Sequence, residues 1–61
     1  MTVRKNQKYH FSAGRAIDFT GTYLGRDKSN KKRFIIRDEK GNIATHPIGW
    51  LDTLDIKKIK N

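Results

Sequence analysis

Short runs of alternating apolar and polar residues, bounded by glycine, asparagine, aspartate and serine, are the feature that most limits the fold of this chain. No segment carries apolar residues at the i, i+3, i+4, i+7 spacing over ten residues or more, so a long amphipathic helix is not expected. The runs predict strands over Arg15 to Phe19, Thr22 to Leu24, Phe34 to Ile36 and Leu54 to Ile59. We therefore predict an all-β protein.

The strongest local signal is the sequence Asp38-Glu39-Lys40-Gly41-Asn42, which is typical of a three-residue hairpin loop with a bulge. A fourth strand then follows Asn42. If Asp38 faces Asn42, one face of the hairpin carries apolar residues and is the better core, while the other mixes arginines with exposed isoleucines, as a binding surface would. The apolar face holds Phe34, Ile36, Ala44 and Ile48, and the mixed face holds Arg33, Ile35, Arg37, Ile43 and Thr45.

Other features of the sequence indicate where the strands bend and where they end. Thr20-Gly21 marks either a tight turn or a bend where glycine relieves crowding. Pro47 cannot donate to a ladder, so we expect it at a strand end or edge. The segment from Gly49 to Thr53 is too short for a long helix and predicts one 3₁₀ turn before the last strand. Residues 1–9 are mostly polar and predict a flexible basic arm, which leaves residues 10–61 as a single small domain.

The order of these elements resembles the SH3-like small β-barrels, and in particular their Tudor, KOW and Sm-like branches. The resemblance lies in turn glycines and alternating apolar residues, and it covers residues 11–59. The residues that carry it are Phe11-x-x-Gly14-x-x-Ile17, Gly21-x-Tyr23-x-Gly25, Phe34-Ile35-Ile36-Arg37-Asp38-x-x-Gly41-Asn42 and Trp50-Leu51. The resemblance implies a five-stranded barrel with one 3₁₀ turn before the fifth strand.

Length and composition exclude several classes of protein. A chain of 61 residues without cysteine has no disulfide and no thiolate metal site, so its stability must come from a small apolar core or a partner subunit. No stretch has the pattern of a signal peptide or a membrane span. We therefore expect a cytoplasmic protein that does not contact a membrane.

Charge points to the partner. Fourteen lysines and arginines against six acids give a net charge of +8, and five of the cations fall within residues 26–33. A field of this strength on a small body attracts polyanions. Tryptophan and tyrosine rings can add stacking with bases. We predict that the nucleic-acid-binding side chains are Arg26, Lys28, Lys31, Lys32, Arg33, Arg37, Lys57, Lys58, Tyr23 and Trp50.

Catalysis is not expected. His10 and His46 have no metal-ligand spacing, and neither a nucleophile elbow nor a phosphate-binding glycine loop is present, so we predict no metal, no cofactor and no enzymatic activity. Two functions remain open. The first is a small basic protein that binds DNA or RNA through phosphate contacts. The second is a protein-interaction module for an acidic partner, acting as an accessory or inhibitory subunit that a phage or other mobile element encodes. A monomer or a weak homo-oligomer suits both.

Overall fold

A computed structural model describes residues 3–59, and this part of the chain folds into five strands and one short helix. Each strand is antiparallel to its neighbours, and all five form one sheet in the order β4-β3-β2-β1-β5. The predicted all-β class is therefore confirmed. The elements are β1 (Gln7–Ala13), β2 (Ile17–Arg26), β3 (Arg33–Asp38), β4 (Ile43–Pro47), α1 (Trp50–Thr53) and β5 (Asp55–Lys58). Met1, Thr2, Lys60 and Asn61 lie outside the described residues.

The sheet is open over residues 3–59, because β4 and β5 form its two edges and are not paired with each other. The closed barrel expected from the sequence is therefore not what the structure shows. β4 is a poor strand for closing the ring. Its last residue, Pro47, has no N–H to donate, and the carbonyl of Thr45 already accepts a hydrogen bond from the Arg33 guanidinium at 2.9 Å.

The N-terminal strand differs most from the sequence-based expectation. β1 begins at Gln7, so residues 7–9, which we expected in the arm, lie in the sheet, and the strand expected to begin at Arg15 begins at Ile17. Tyr9, expected near the exposed arm, is only 5 % exposed, and the backbone N–H of Arg4 donates to its hydroxyl at 2.8 Å. The alternation of aromatic and polar residues over 7–11 is a strand pattern that the polar composition of this segment concealed.

The β3–β4 hairpin has the predicted register. Arg37 pairs with Ile43, Ile36 with Ala44, Ile35 with Thr45 and Phe34 with His46. The loop closes with a hydrogen bond from Asp38 N–H to Asn42 C=O at 2.9 Å, and Gly41 has φ +89°, as the bulged turn requires. The carboxylate of Asp38 also accepts the N–H groups of Lys40 at 2.9 Å and Asn42 at 2.8 Å.

One face of the sheet carries the core. Phe11 and Phe34 are fully buried at its centre, with ring centroids 6.4 Å apart. The other buried apolar residues are Tyr9, Tyr23, Ile36 and Ile56, and the partly buried ones packed against them are Val3, Phe19, Ile48, Trp50, Leu51 and Leu54. α1 covers this face where one 3₁₀ turn was predicted. Its first two bonds do span three residues, but Leu54 N–H donates to Trp50 C=O at 2.8 Å, four residues back, as in an α-helix.

Gly21 resolves the alternative that the sequence left open. It lies inside β2, paired with Tyr9 on one side and Asp38 on the other, and is not in a tight turn. A Cβ at this position would overlap Cγ2 of Ile36, which is 2 % exposed, and would come within 3.1 Å of the backbone oxygen of Arg37. Glycine is therefore present because β3 passes too close for a side chain.

We predict that Gly21→Ala lowers the free energy of unfolding by about 1–3 kcal/mol, because the added methyl group must displace the buried side chain of Ile36. Urea denaturation followed by circular dichroism measures the change. Gly49→Ala is the matched control, since no atom lies within 4 Å of its Cβ position, and it should change stability by less than about 0.5 kcal/mol. Equal stabilities of the two variants would show that the close approach at Gly21 is not limiting.

Candidate functional site

The densest group of cations lies at the end of the sheet where β2 leads into β3. Arg26 ends β2 and Arg33 begins β3, and the exposed residues Lys28, Lys31 and Lys32 lie in the loop between them. Backbone hydrogen bonds hold the loop at its base, from Asp27 N–H to Arg33 C=O and from Arg33 N–H to Asn30 C=O, both at 3.0 Å. The lysines therefore project from a backbone that is tied to the sheet.

The polar side chains of this loop stabilise its own backbone. The Asp27 carboxylate accepts Ser29 N–H at 2.9 Å, and the Asn30 side-chain oxygen accepts Lys32 N–H at 3.1 Å. These are short-range turns of the kind that Asp and Asn form readily. Within residues 3–59, no carboxylate lies within 4.0 Å of an ammonium group of the loop lysines. Their charges are therefore available to an external anion.

The residues that precede β1 add to this cationic group. Asn6 N–H donates to Tyr23 C=O at 2.7 Å, which joins the segment to β2 near the loop. The side chain of Lys5 lies over Gly25, since a Cβ there would come within 2.8 Å of Lys5 Cε. We call the resulting group the basic end. It comprises Arg4, Lys5, Arg26, Lys28, Lys31, Lys32 and Arg33, with Asp27 as its one acid. The sequence marked Arg4 and Lys5 as basic but gave no sign that they would lie beside the loop.

The opposite end of the sheet, which we call the acidic end, holds four of the six acids. Asp18 and Asp55 are both aligned with Ser12 on the outer face, and Asp38 and Glu39 lie at the β3–β4 turn. Arg15 and Lys40 lie in the turns at this end, Arg37 directly precedes Asp38, and the Lys8 ammonium group is 3.7 Å from Glu39. Cations therefore strongly outnumber acids at the basic end, whereas the acids at the other end are balanced by neighbouring cations.

Three of the predicted binding residues lie away from the basic end. Arg37 is exposed on the outer face, four residues along β3 from Arg33 and thus about 13 Å away. Lys57 and Lys58 are exposed on β5, which is separated from β3 by two strands. Lys8 lies between them on β1, but its ammonium group is 3.7 Å from Glu39. These cations do not form one continuous stripe with the loop.

Tyr23 and Arg33 were both predicted to bind nucleic acid, but each makes contacts within the fold that limit this role. Tyr23 is 8 % exposed, with its ring 6.0 Å from that of Phe34, so in this structure it belongs to the core and offers no free ring face to a base. The register explains this, because Tyr23 pairs with Ile36 on the buried face. Arg33 donates from Nε to the Thr45 hydroxyl at 3.0 Å and from Nη2 to the Thr45 carbonyl at 2.9 Å, so its guanidinium also holds β4.

Trp50 is half-buried beside the basic end. Its indole stacks on the His46 imidazole with centroids 4.7 Å apart and planes at 15°. The chain before it is tied to the loop by a hydrogen bond from Ile48 N–H to Lys32 C=O at 2.8 Å. Burial, followed by the nearby charge of Arg33, lowers the pKa of His46 below its usual 6.5. One face of the indole is therefore covered by an imidazole that favours the neutral form.

His10 on the outer face is a potential metal ligand. The His10 imidazole contacts the Asp18 carboxylate at 2.6 Å on the outer face, but residues 3–59 hold no cluster of three potential metal ligands. In the same range, no helix has the length and apolar character needed to cross a bilayer.

Comparisons with known proteins give no family for this chain. No protein-family model matches it, and neither a curated protein nor a solved structure is similar enough to count as a match. The function therefore has to be argued from the site itself.

We predict that folding stability falls as the pH drops below about 6.5, because the unfolded chain then binds a proton at residue 46 that the folded protein resists. The loss levels off once the pH passes the lowered pKa of the folded state. Denaturation from pH 8 to pH 5 measures it. His46→Phe should reduce the fall and His10→Gln should retain it, and a fall that persists in full in His46→Phe would contradict this assignment.

A second acid-sensitive group acts in a separate pH range. The backbone N–H of Asn42, followed by that of Lys40, lowers the pKa of Asp38 below its usual 3.8. Its contribution to stability is therefore present above pH 3.8 and is lost only below it.

Proposed function

We propose that this protein binds nucleic acid, with the basic end contacting the phosphate backbone. The observation that supports the proposal best is the excess of positive charge at the basic end, because seven cations and one acid lie there, whereas the four acids at the other end have about as many cations beside them. A polyanion attracted by the net charge of +8 would meet the basic end in preference to the rest of the surface.

The chemistry of the loop suits phosphates rather than base edges. Lysines are flexible point charges that neutralise phosphates and release counterions without reading sequence. Arg26 adds a planar guanidinium that can bind phosphate in a bidentate manner, whereas Arg33 is partly committed to Thr45. Affinity for non-specific duplex should therefore be micromolar or weaker at physiological salt, with modest sequence preference.

Trp50 is the one aromatic residue near the basic end that is only half-buried. One side of its ring is occupied by His46, so it can offer at most its edge or second face to a base. We place it at the border of the interface, as a supplement to phosphate contacts. Lys57 and Arg37 would extend the interface only for a ligand long enough to cross the outer face, whereas Lys58 pairs with Tyr9 and lies on the core face at the edge of the sheet.

We also propose that the sheet is an opened relative of the SH3-like small barrels. Two features support this relationship. The strands follow one another as a meander from β1 to β4, and β5 returns to pair with β1 after a single helical turn. A short sheet of this kind leaves its connecting loops free to carry a binding site.

The proposal predicts that Lys31→Gln/Lys32→Gln weakens binding by about tenfold at low salt, because two phosphate contacts are lost. Fluorescence anisotropy with labelled 20-nucleotide DNA and RNA, single- and double-stranded, measures affinity between 50 and 300 mM salt. The wild-type plot of log affinity against log salt should have a slope of about −4, and the variant slope should be shallower by about 1–2.

Arg15→Gln/Lys40→Gln is the matched control, since it removes the same charge from the acidic end and leaves the loop intact. It should bind almost as well as the wild type. Equal losses in the two double variants would show attraction to net charge without a site. Absence of binding to every oligonucleotide at 50 mM salt would contradict the proposal and favour an acidic protein partner.

A further inference from the structure

The two edges of the sheet differ in how they are protected. The hydrogen bond from Ile48 N–H to Lys32 C=O fixes the hydrogen-bonding pattern between β4 and β3. As a result, the backbone polar groups of Ile43, Thr45 and Pro47 face away from β3, outward from the sheet. Pro47 has no N–H, and the carbonyl of Thr45 is occupied by Arg33 at 2.9 Å. Both devices hinder the addition of another strand to this edge.

The edge at β5 lacks these protections. The hydrogen bond from Ile59 N–H to Lys8 C=O at 3.1 Å fixes the ladder with β1, so Asp55 and Lys57 face β1 while the backbone groups of Ile56 and Lys58 face outward. Within residues 3–59, no further strand, proline or arginine covers these outward groups. They form a free template for another extended segment.

The sequence of β5 is complementary to itself. A second β5 that continues the sheet in antiparallel orientation must place residues of the same face opposite each other. If Ile56 of one copy lies opposite Ile56 of the other, the outward-facing N–H and C=O groups of the two strands face each other, as hydrogen-bonded pairs require. Asp55 then lies opposite Lys57 of the second copy, and Lys57 opposite its Asp55. These are the non-hydrogen-bonded pairs, in which side chains approach most closely.

We propose that two copies of this chain associate through β5 about a two-fold axis at Ile56, forming one continuous ten-stranded sheet. Four backbone hydrogen bonds join the copies, two between the Ile56 residues and two from Lys58 N–H to the extended Leu54 of the other copy. Two Asp55–Lys57 ion pairs on the outer face fix the register. The partner is thus a second copy of the chain, selected by charge pairing along the edge.

The association should be weak. β5 has only four residues, so the paired edges bury much less than the roughly 1,200 Å² typical of stable complexes. Each copy also carries a net charge of +8, which opposes association at low salt. The dimer is therefore expected at protein concentrations on the order of 100 µM and above, in salt of at least about 0.15 M, where charges are screened beyond about 8 Å.

Sedimentation equilibrium of the nuclease-treated full chain tests the proposal with charge-reversal variants. Asp55→Lys places lysines opposite each other, and Lys57→Asp places aspartates opposite each other, so each single variant should weaken dimerisation by about tenfold or more. The double variant Asp55→Lys/Lys57→Asp keeps the net charge and restores opposite pairs, and it should dimerise like the wild type. Circular dichroism verifies that each variant is folded.

Two further variants test the backbone and the choice of edge. Lys58→Pro removes an outward N–H that β1 does not use, so the fold should persist while dimerisation is lost. Ile43→Lys, on the other edge, should leave dimerisation unchanged. A wild-type chain that stays monomeric at 1 mM, a double variant that fails to recover, or loss of the dimer in Ile43→Lys would each overturn the proposal. Nucleic-acid binding is tested separately by the Lys31 and Lys32 variants, because that proposal rests on the basic end.

Discussion

The burial of Phe11 and Phe34 on one face of the sheet determines the position of almost every charged side chain. Because side chains alternate along a strand, fixing these two rings inward fixes their neighbours outward. A shift of one residue in either strand would place a ring in water and a charge in the core, at a cost of several kcal/mol. The register is therefore strongly specified, and the arrangement of cations follows from packing rather than from attraction between charges.

This constraint explains why cations collect at the basic end. Antiparallel strands bring loops that are distant in sequence to the same end of a sheet, so the segment before β1 lies beside the β2–β3 loop. The β3–β4 turn is aligned with Gly21 and the start of β5 is aligned with Ser12, so both lie on the part of the sheet away from the β2–β3 loop. The apolar core thus supports the candidate site indirectly, by holding the basic loop and the N-terminal cations next to each other without any bond between them.

The sequence predicted the β3–β4 hairpin, but it did not predict β1 or the cross-strand contacts of Tyr23 and Arg33. The β3–β4 hairpin could be predicted to the residue because its turn has a specific glycine requirement and its strands alternate clearly. β1 was missed because its aromatic residues alternate with lysine, histidine and glutamine in a basic segment that resembles a tail. The lysines of the basic loop are exposed, but the burial of Tyr23 and the contact of Arg33 with Thr45 depend on cross-strand pairing that local patterns do not contain.

The contact between Arg33 and Thr45 has a consequence for how far this protein can assemble. A guanidinium reaches the hydroxyl and the carbonyl of Thr45 at once, whereas a lysine carries the same charge but lacks the fork. An arginine-to-lysine change there would keep the positive charge, yet it would free the carbonyl of Thr45 and leave Pro47 as the remaining protection of β4. A molecule with one unprotected sheet edge can form only a dimer by edge pairing, whereas a molecule with two unprotected edges can add subunits without limit. Arg33 and Pro47 together therefore favour a closed pair over an open-ended fibre in the proposed association.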